Sequence, residues 1–348
     1  MKQVLVIERP ASDTRYRFLI LFLVILLSLF GFIYAKHVGA MTTWSVERMT
    51  MMSGILFDNE VLSTRNISIW ASRTPFRLKD PEESLTILPA GTTQIDPRRS
   101  DHPWNAYLTS VADQQGCNSC WAFAIAGMLR DRLGIYSEES VKVLSPQSLL
   151  DYAEDTRRRV NGCSQFDKCQ CGESPSYAMH MAREYGLASE ECVGYRAMRA
   201  KYNLCSEPNC FYPDRFDGYD CEKMHTFTEV YAIMTEADAF EEIRLNGPVM
   251  GVVAICDAFT GVPKGDDYIL DPPHIKDSQI SGYHAIVVAG AGVSDGVPYW
   301  LIRNSWGKLW GNRGYCKLKR GTNALRIGST FPFYAGIFVS PPGIKFHV

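Results

Sequence analysis

Cysteine is absent from the first 116 residues of this 348-residue chain, and basic residues form no dense cluster beyond Arg157 to Arg159. Nucleic-acid binding requires many phosphate contacts, so the missing basic patch argues against a nucleic-acid partner. Internal repeats and low-complexity tracts are missing as well, which argues against a repeat architecture. What remains is a nearly neutral chain, net charge −2, whose 46% hydrophobic content is enough for a sizeable core.

Charge is also absent from one early stretch, residues 18–34, which reads FLILFLVILLSLFGFIY. Its length lies at the lower limit for a membrane-spanning helix. The more basic flank tends to stay in the cytoplasm. We therefore predict a cytoplasmic N-terminus over residues 1–17 and a single-pass signal anchor or a cleaved signal peptide over residues 18–35, with the small residues 38–40 leaving cleavage open. The rest of the chain is expected to enter the secretory pathway.

The next stretch, residues 36–97, has no cysteine and ends in the Pro- and Gly-containing run ILPAGTTQIDP. It contains one glycosylation sequon, at Asn66, which is usable in the predicted compartment. From Trp104 onward the cysteine, aromatic and glycine content rises. We therefore predict a separable segment over residues 36–97 and a folded domain over residues 98–348.

All eleven cysteines lie in the predicted folded domain. Disulfides form in the secretory pathway, and the count is odd. These facts predict up to five disulfides and one thiol kept free, while the spacing alone does not give the pairing.

Helical patterns come first in the folded domain and strand patterns follow. Ser119 before CWAFAIAGMLRDRL and the Ser-Pro pairs at 145 and 174 indicate three helices. After about residue 248, the runs PVMGVVAIC, HAIVVAGAG, YWLIRNSW and GYCKLKRG read as strands separated by turns. This order predicts an α+β protein with a helical lobe, a β lobe and a cleft between them.

The stretch QQGCNSCWAFA, residues 114–124, places Cys117 and Cys120 three positions apart at the start of a predicted helix. Zinc binding would need two further ligands at matching spacing, and a thioredoxin-like redox pair would follow the first strand of a small βαβ unit. A third interpretation makes Cys120 a nucleophile, because the positive end of a helix favours a thiolate. His284 begins an apolar strand and Asn304 ends the next one, so a base and its orienting amide are available.

These motifs resemble those of papain-family cysteine proteases, and the similarity runs from about Trp104 to Ile337. The blocks that carry it are QQGCNSCWAFA, LSPQSLLD, LNGPVMG, YHAIVVAGAG, PYWLIRNSWG and WGNRGYCKLKRG. Within the family, the chain is most similar to the cathepsin B and cathepsin X (Z) branch. The resemblance implies a two-lobed α+β fold, with an N-terminal helical lobe, a C-terminal β-barrel-like lobe and the active-site cleft between them.

The resemblance also implies roles for individual residues. Cys120 would attack the scissile carbonyl as a thiolate, His284 would exchange the proton, and Asn304 would orient the imidazole. Gln114 would donate its side-chain amide to the oxyanion. Trp306 would shield the His284–Asn304 bond and, as part of the cleft, contact substrate.

Further positions follow from the same resemblance. Gly172 and Thr330 are expected in the substrate-binding cleft. Cys117 is expected to form a disulfide with Cys169 or Cys171, and both alternatives remain open. Residues 36–97 would be a short propeptide that inhibits the enzyme until it is removed.

The chain departs from the family pattern at Asn118 and Glu173, where relatives have glycine, and at Tyr152, where relatives have a disulfide cysteine. It also lacks the histidine-bearing devices that make cathepsins B and X exopeptidases, so endopeptidase action is favoured and exopeptidase action stays open. The sequence thus predicts a thiol peptidase zymogen that acts on peptides or proteins without a metal or cofactor, in a lysosome-like compartment or outside the cell. The alternatives are a catalytically impaired papain-fold binding protein and a cytosolic redox protein.

Overall fold

The computed structural model describes residues 86, 88–154, 172–196, 221, 225–272 and 275–337. All of them belong to one compact unit, residues 49–348. No helix in these ranges is long and apolar enough to cross a membrane. The predicted anchor or signal peptide at residues 18–35 lies outside the described residues, as do Asn66, Cys169 and Cys171.

The three helices predicted from the sequence are confirmed, and the described part of the chain contains two more after them. The helices are α1 (Cys120–Ser137), α2 (Pro146–Glu154), α3 (Pro175–Glu184), α4 (Glu236–Asn246) and α5 (Asp257–Thr260). Ser145 caps α2 as expected, because its Oγ accepts a hydrogen bond from the backbone N–H of Ser148 at 3.4 Å. Ser119 occupies the cap position of α1 but makes no side-chain capping bond.

Seven strands form a single sheet within the described residues. They are β1 (Glu229–Ile233), β2 (Val249–Ile255), β3 (Ile269–Leu270), β4 (Gly282–Ser294), β5 (Val297–Arg303), β6 (Tyr315–Lys319) and β7 (Phe333–Ile337). The sheet order is β1-β7-β2-β4-β5-β6-β3, and only the short β3–β6 pair is parallel. Four of these strands were predicted from the apolar runs, whereas β1, β3 and β7 were not.

The hydrophobic interior consists of two clusters, and side chains that alternate along the central strands contribute to both. In β2, Met250 and Val252 join the cluster that contains α1, α2 and α3, while Val249 and Val253 join the cluster that contains α4. Successive residues of a strand point to opposite faces, so β2 supplies both cores. The first cluster is the core of the helical lobe and the second is the core of the β lobe.

A buried ion pair joins α1 to the end of β5. Nη1 of Arg303 lies 2.7 Å from Oδ2 of Asp131, and both side chains are almost fully buried. Asp131 also accepts hydrogen bonds from the backbone N–H and the hydroxyl of Thr109, at 2.5 and 2.6 Å. A Cβ at Gly127 would lie 2.8 Å from Nη2 of Arg303, so a larger residue at this helix position would force the buried guanidinium to shift. Arg303 directly precedes Asn304, so the pair links the helix of Cys120 to the strand that positions Asn304.

The segment before residue 98 is also part of the fold. Ile95 is buried and forms an antiparallel bridge with Ala291 of β4, through backbone hydrogen bonds of 2.7 and 3.0 Å. A Cβ at Gly290 would lie 2.0 Å from the carbonyl oxygen of Ile95, so only glycine permits this close approach.

The sequence predicts up to five disulfides and one free thiol, and the described cysteines show that the single free thiol is wrong. Cys192 and Cys221 form a disulfide, but Cys120, Cys256 and Cys316 are all reduced. Eight of the eleven cysteines are left, which permits at most four bridges. Cys256 and Cys316 lie in the core of the β lobe, where they act as small apolar side chains.

Candidate active site

Cys120 is the first residue of α1 and is completely buried. The backbone N–H of Ala285 donates to its Sγ over 3.4 Å, which places the sulfur beside the strand that carries His284. The first turn of α1 contains no acidic residue and its cap residue makes no capping bond. The positive end of the helix is therefore not neutralised by these side chains, and it favours negative charge on the sulfur.

The imidazole of His284 has a defined tautomer because of its partner. Nε2 of His284 lies 2.7 Å from Oδ1 of Asn304, and the same Oδ1 accepts the backbone N–H of Ser305 at 2.7 Å. A backbone N–H only donates, so the amide oxygen of Asn304 must face this side. An amide oxygen only accepts, so the proton of the neutral imidazole lies on Nε2. Nδ1 is left bare and has no hydrogen-bond partner, so it can accept a proton.

Aromatic rings enclose His284. The Trp306 ring lies 4.6 Å from the imidazole and the Phe259 ring lies 6.0 Å from it, measured between centroids. Burial of the imidazole lowers the pKa of His284 to about 4, and the hydrogen bond that His284 donates to Asn304 opposes this only partly. The imidazole is therefore neutral in this closed state.

Gln114 lies at the start of the loop that leads into α1 and is completely buried. Its Nε2 donates to the carbonyl oxygen of Cys117 at 2.8 Å, and its Oε1 accepts the hydroxyl of Ser305 at 2.7 Å. The backbone N–H of Gln114 also donates to the carbonyl of Ser305, at 2.8 Å. An amide nitrogen has two protons, so Nε2 keeps one that can be given to a substrate oxygen.

The sulfurs of Cys117 and Cys120 are in different chemical states. Cys117 is in a disulfide, whereas Cys120 is reduced. The two cysteines are therefore neither a redox disulfide nor a pair of thiolate ligands. The described residues contain no group of three or more His, Cys, Asp or Glu placed to hold a metal ion. The proposed partners of Cys117, Cys169 and Cys171, stay predictions.

The remaining cleft positions differ in their surroundings. Gly172 is buried with φ +65°, a left-handed conformation that favours glycine. Thr330 is exposed. The side chains of Asn118 and Glu173, where relatives have glycine, are both buried. The assignment of Gly172, Trp306 and Thr330 to substrate binding therefore stays a prediction.

A cavity of about 280 Å³ adjoins this arrangement. Its wall includes Asn304, Ser305 and Tyr195, but neither Cys120 nor His284. The sulfur and the imidazole are completely buried. A substrate therefore cannot reach them in this conformation, and the adjoining cavity is not the place where bond cleavage would occur.

Two residues of the arrangement were missed from the sequence. Ser305 bonds to both Gln114 and Asn304, and its position inside the motif RNSWG offered a signal that was not used. Tyr195 bonds to Ser119 and to the carbonyl of Gln114, and no sequence pattern singles it out.

Comparisons with known proteins agree with this geometry. Residues 92–333 match the family model described as papain family cysteine protease. The chain is 32% identical over 247 residues to a cysteine protease of Blomia tropicalis, covering 69% of this chain and 66% of the relative. It is 31% identical to cathepsin B-like cysteine proteinase 4 of Caenorhabditis elegans, covering 66% and 71%. The matched part is thus about two thirds of the length of these relatives.

Solved structures show the same fold. Procathepsin B S9 of Trypanosoma congolense is similar with a TM-score of 0.55 at 23% identity, covering 84% of this chain and 88% of the other. Digestive procathepsin L 3 of Tenebrio molitor gives a TM-score of 0.54 at 19% identity, with coverages of 84% and 78%. At such identities the similarity supports the two-lobed α+β architecture and nothing finer.

Proposed function

This chain belongs to the papain family of cysteine proteases, and we propose that it hydrolyses peptide bonds with Cys120 as nucleophile, His284 as base and acid, and Asn304 as the orienting amide. The observation that carries the proposal is the bare Nδ1 of His284, fixed by the 2.7 Å bond from Nε2 to Asn304. A nitrogen in that state is what a neighbouring thiol needs to lose its proton. Natural substrates would be peptides or proteins, and no metal or organic cofactor takes part.

The reaction would proceed in two stages. The Cys120 thiolate attacks the carbonyl carbon, a C–S bond forms, the C–N bond breaks, and the imidazolium of His284 gives its proton to the leaving amine. Water then attacks the thioester, His284 takes a proton from it, and the carboxylic acid leaves as the C–S bond breaks. The negative oxygen in each stage would accept hydrogen bonds from Nε2 of Gln114 and from the backbone N–H of Cys120.

The buried state of Cys120 and His284 supports a zymogen. A neutral imidazole with a pKa of about 4 and an inaccessible sulfur describe a resting site, and removal of the propeptide would admit both water and substrate. The sequence predicts the propeptide boundary at residue 97. The buried bridge of Ile95 to β4 and the family match from residue 92 favour cleavage before residue 92.

The N-terminal sequence supports a proposal for the location of the protein. We propose that residues 18–35 direct the chain into the secretory pathway, as a membrane anchor or as a cleaved signal, and that it acts in a lysosome-like compartment or outside the cell. Expression of the full chain and of Asn66→Gln tests the first step. A mobility difference abolished by endoglycosidase supports entry into the pathway, and an unglycosylated wild-type chain contradicts it.

Labelling of the processed protein at acid pH with a peptidyl epoxide tests the activity. We expect one covalent adduct on Cys120, none in Cys120→Ala, and unchanged labelling in Cys256→Ala, which removes another buried reduced thiol. Hydrolysis of a peptide library with free and amidated C-termini then separates endopeptidase action, which we favour, from carboxypeptidase action. An unmodified Cys120 after processing would contradict the proposal.

A catalytically impaired binding protein is the second candidate. The buried side chains of Asn118 and Glu173 favour it, because each stands where relatives have glycine beside the cleft. If they block substrate, Asn118→Gly with Glu173→Gly should create turnover that the processed wild-type chain lacks. Turnover by the wild-type chain would exclude this candidate.

A further inference from the structure

Tyr195 contributes one hydroxyl to the loop that precedes Cys120. Its Oη donates to the backbone carbonyl of Gln114 over 2.8 Å and lies 2.8 Å from Oγ of Ser119. Gln114 and Ser119 are the two ends of this loop. The phenol therefore connects both ends from a segment more than 70 residues further along the chain.

The Tyr195 ring is itself held from two sides. It packs edge-on against Phe123 of α1, with 4.6 Å between ring centroids. The backbone N–H of Tyr195 donates to the carboxylate of Glu190 at 2.6 Å, and the disulfide Cys192–Cys221 lies in the same segment. The hydroxyl is thus supported by packing, by a charged acceptor and by a covalent link.

Counting protons defines the direction of both hydrogen bonds. A phenol has one proton, and the carbonyl of Gln114 can only accept, so that proton goes to Gln114. The hydroxyl of Ser119 must then be the donor in its bond to Tyr195. Burial raises the pKa of Tyr195, so the phenol keeps its proton at acid and neutral pH.

This arrangement explains why Ser119 does not cap α1. A capping serine turns its oxygen toward the N–H groups of the first helical turn. Here the hydroxyl points to Tyr195, with a longer contact of 3.4 Å to the carbonyl of Cys117, and makes no capping bond. The first turn of α1, where Cys120 lies, is therefore kept clear of a competing side-chain oxygen.

We propose that Tyr195 is a positioning residue that fixes the Gln114 carbonyl and turns the Ser119 hydroxyl away from the helix end beside Cys120. The inference rests on the proposed function and names a residue that acts on that site through its neighbours. The titratable groups that act electrostatically on Tyr195 are Asp113, Glu190 and Cys120, and the substitution below leaves all three in place.

The test uses Tyr195→Phe, which keeps the ring and removes only the hydroxyl. In the processed enzyme we expect kcat/KM to fall by about tenfold, mainly through kcat, because Gln114 loses a hydrogen bond that fixes it. We expect the acid limb of the pH profile of kcat/KM to move upward by about 0.5 to 1 pH unit, because Ser119 is then free to cap α1.

The matched control is Tyr107→Phe. Its hydroxyl also donates to a backbone carbonyl, that of Glu138 at 3.2 Å, but at the opposite end of α1. We expect an unchanged pH profile for Tyr107→Phe. Thermal melting of both variants reports whether the fold survives.

A double variant separates the two effects of Tyr195. In Tyr195→Phe with Ser119→Ala no hydroxyl remains to cap α1, so the acid limb should return to its wild-type position while kcat stays low. An unchanged acid limb and kcat in Tyr195→Phe, with an active wild-type enzyme, would overturn the inference. A processed wild-type protein without turnover or epoxide labelling would instead reject the proposed function itself.

Discussion

Helices α1 and α4 both follow a hydroxyl residue, yet only α4 uses it as a cap. Oγ1 of Thr235 accepts the backbone N–H of Asp238 at 3.0 Å, and α4 has two acidic residues in its first turn. Ser119 makes no such bond, and the first turn of α1 has no acid. A hydroxyl residue at the cap position therefore stabilises α4, whereas at α1 it leaves the positive N-terminal end of the helix dipole uncompensated.

The difference indicates what holds each helix in place. The N-terminus of α4 is stabilised locally, whereas α1 is held by contacts along its length, including the ion pairs Asp131–Arg303 and Arg132–Glu242. The uncapped N-terminus of α1 is the end that bears Cys120. Stability and reactivity thus depend on different parts of the same helix, and this separation can be tested.

The largest expected effect is at the buried anchor of α1. Arg303→Met removes the close cation of the buried Asp131 carboxylate and leaves only Arg130, whose Nη1 lies 3.9 Å away. The free energy of unfolding should therefore fall by roughly 3–5 kcal/mol. Urea denaturation of the full chain measures this. Arg99→Met, which removes an exposed partner of Asp101, is the control and should leave the curve unchanged. Equal effects of the two variants would mean that the buried pair does not anchor α1.

The second-largest expected effect is the pH dependence of the stability of the unprocessed chain. The pKa of His284 is about 4 in the folded chain and about 6.5 when unfolded, so between these values only the unfolded state binds the proton. Stability of the unprocessed chain should therefore fall as pH falls from 6.5 to 4, by about 3 kcal/mol from this group. His284→Gln should show a shallower loss. The same slope in both proteins would contradict a neutral buried imidazole.

A smaller effect is expected at Gly127. Alanine there places a Cβ 2.8 Å from Nη2 of Arg303, and the strain should outweigh the helix propensity gained, for a net loss of about 1–2 kcal/mol. In the Arg303→Met background the guanidinium is gone, so Gly127→Ala should be neutral or stabilising. Equal losses in both backgrounds would show that Arg303 is not the reason for the glycine.

The smallest expected effect is at Thr235, the cap residue of α4. Thr235→Ala should reduce the free energy of unfolding by about 1 kcal/mol and leave the pH profile of activity unchanged. The cap position of α1 differs, because the Ser119 hydroxyl bonds to Tyr195 rather than to the helix. A shift of the pH profile by Thr235→Ala would remove the distinction between the two helix ends.

Much of this arrangement could be predicted from sequence, because its signals are local. The apolar runs and Ser-Pro starts predicted α1 to α3 and four strands, and the motifs around Cys120, His284 and Asn304 predicted the family. Helix α4 also had a local signal, Thr235 three residues before Asp238, which was not used.

Other features depend on partners that are distant in sequence. The β1–β7 pair joins segments about a hundred residues apart, and Tyr195 meets Gln114 across 81 residues. The prediction of a single free thiol was wrong, because Cys256 and Cys316 are also reduced and lie in a core that no spacing reveals. Sequence patterns predicted the candidate site residues, but not which side chains hold them in place.

The central claim is that the open end of α1 and the imidazole of His284 together make Cys120 a thiolate. The rate of alkylation of Cys120 by iodoacetamide in the processed protein, measured across pH 3 to 10, tests it most directly. We expect reactivity to persist at acid pH with a midpoint below about 7.5, as for thiols near a helix N-terminus and a histidine. A midpoint near 8.5, the value of an ordinary cysteine, would contradict the claim.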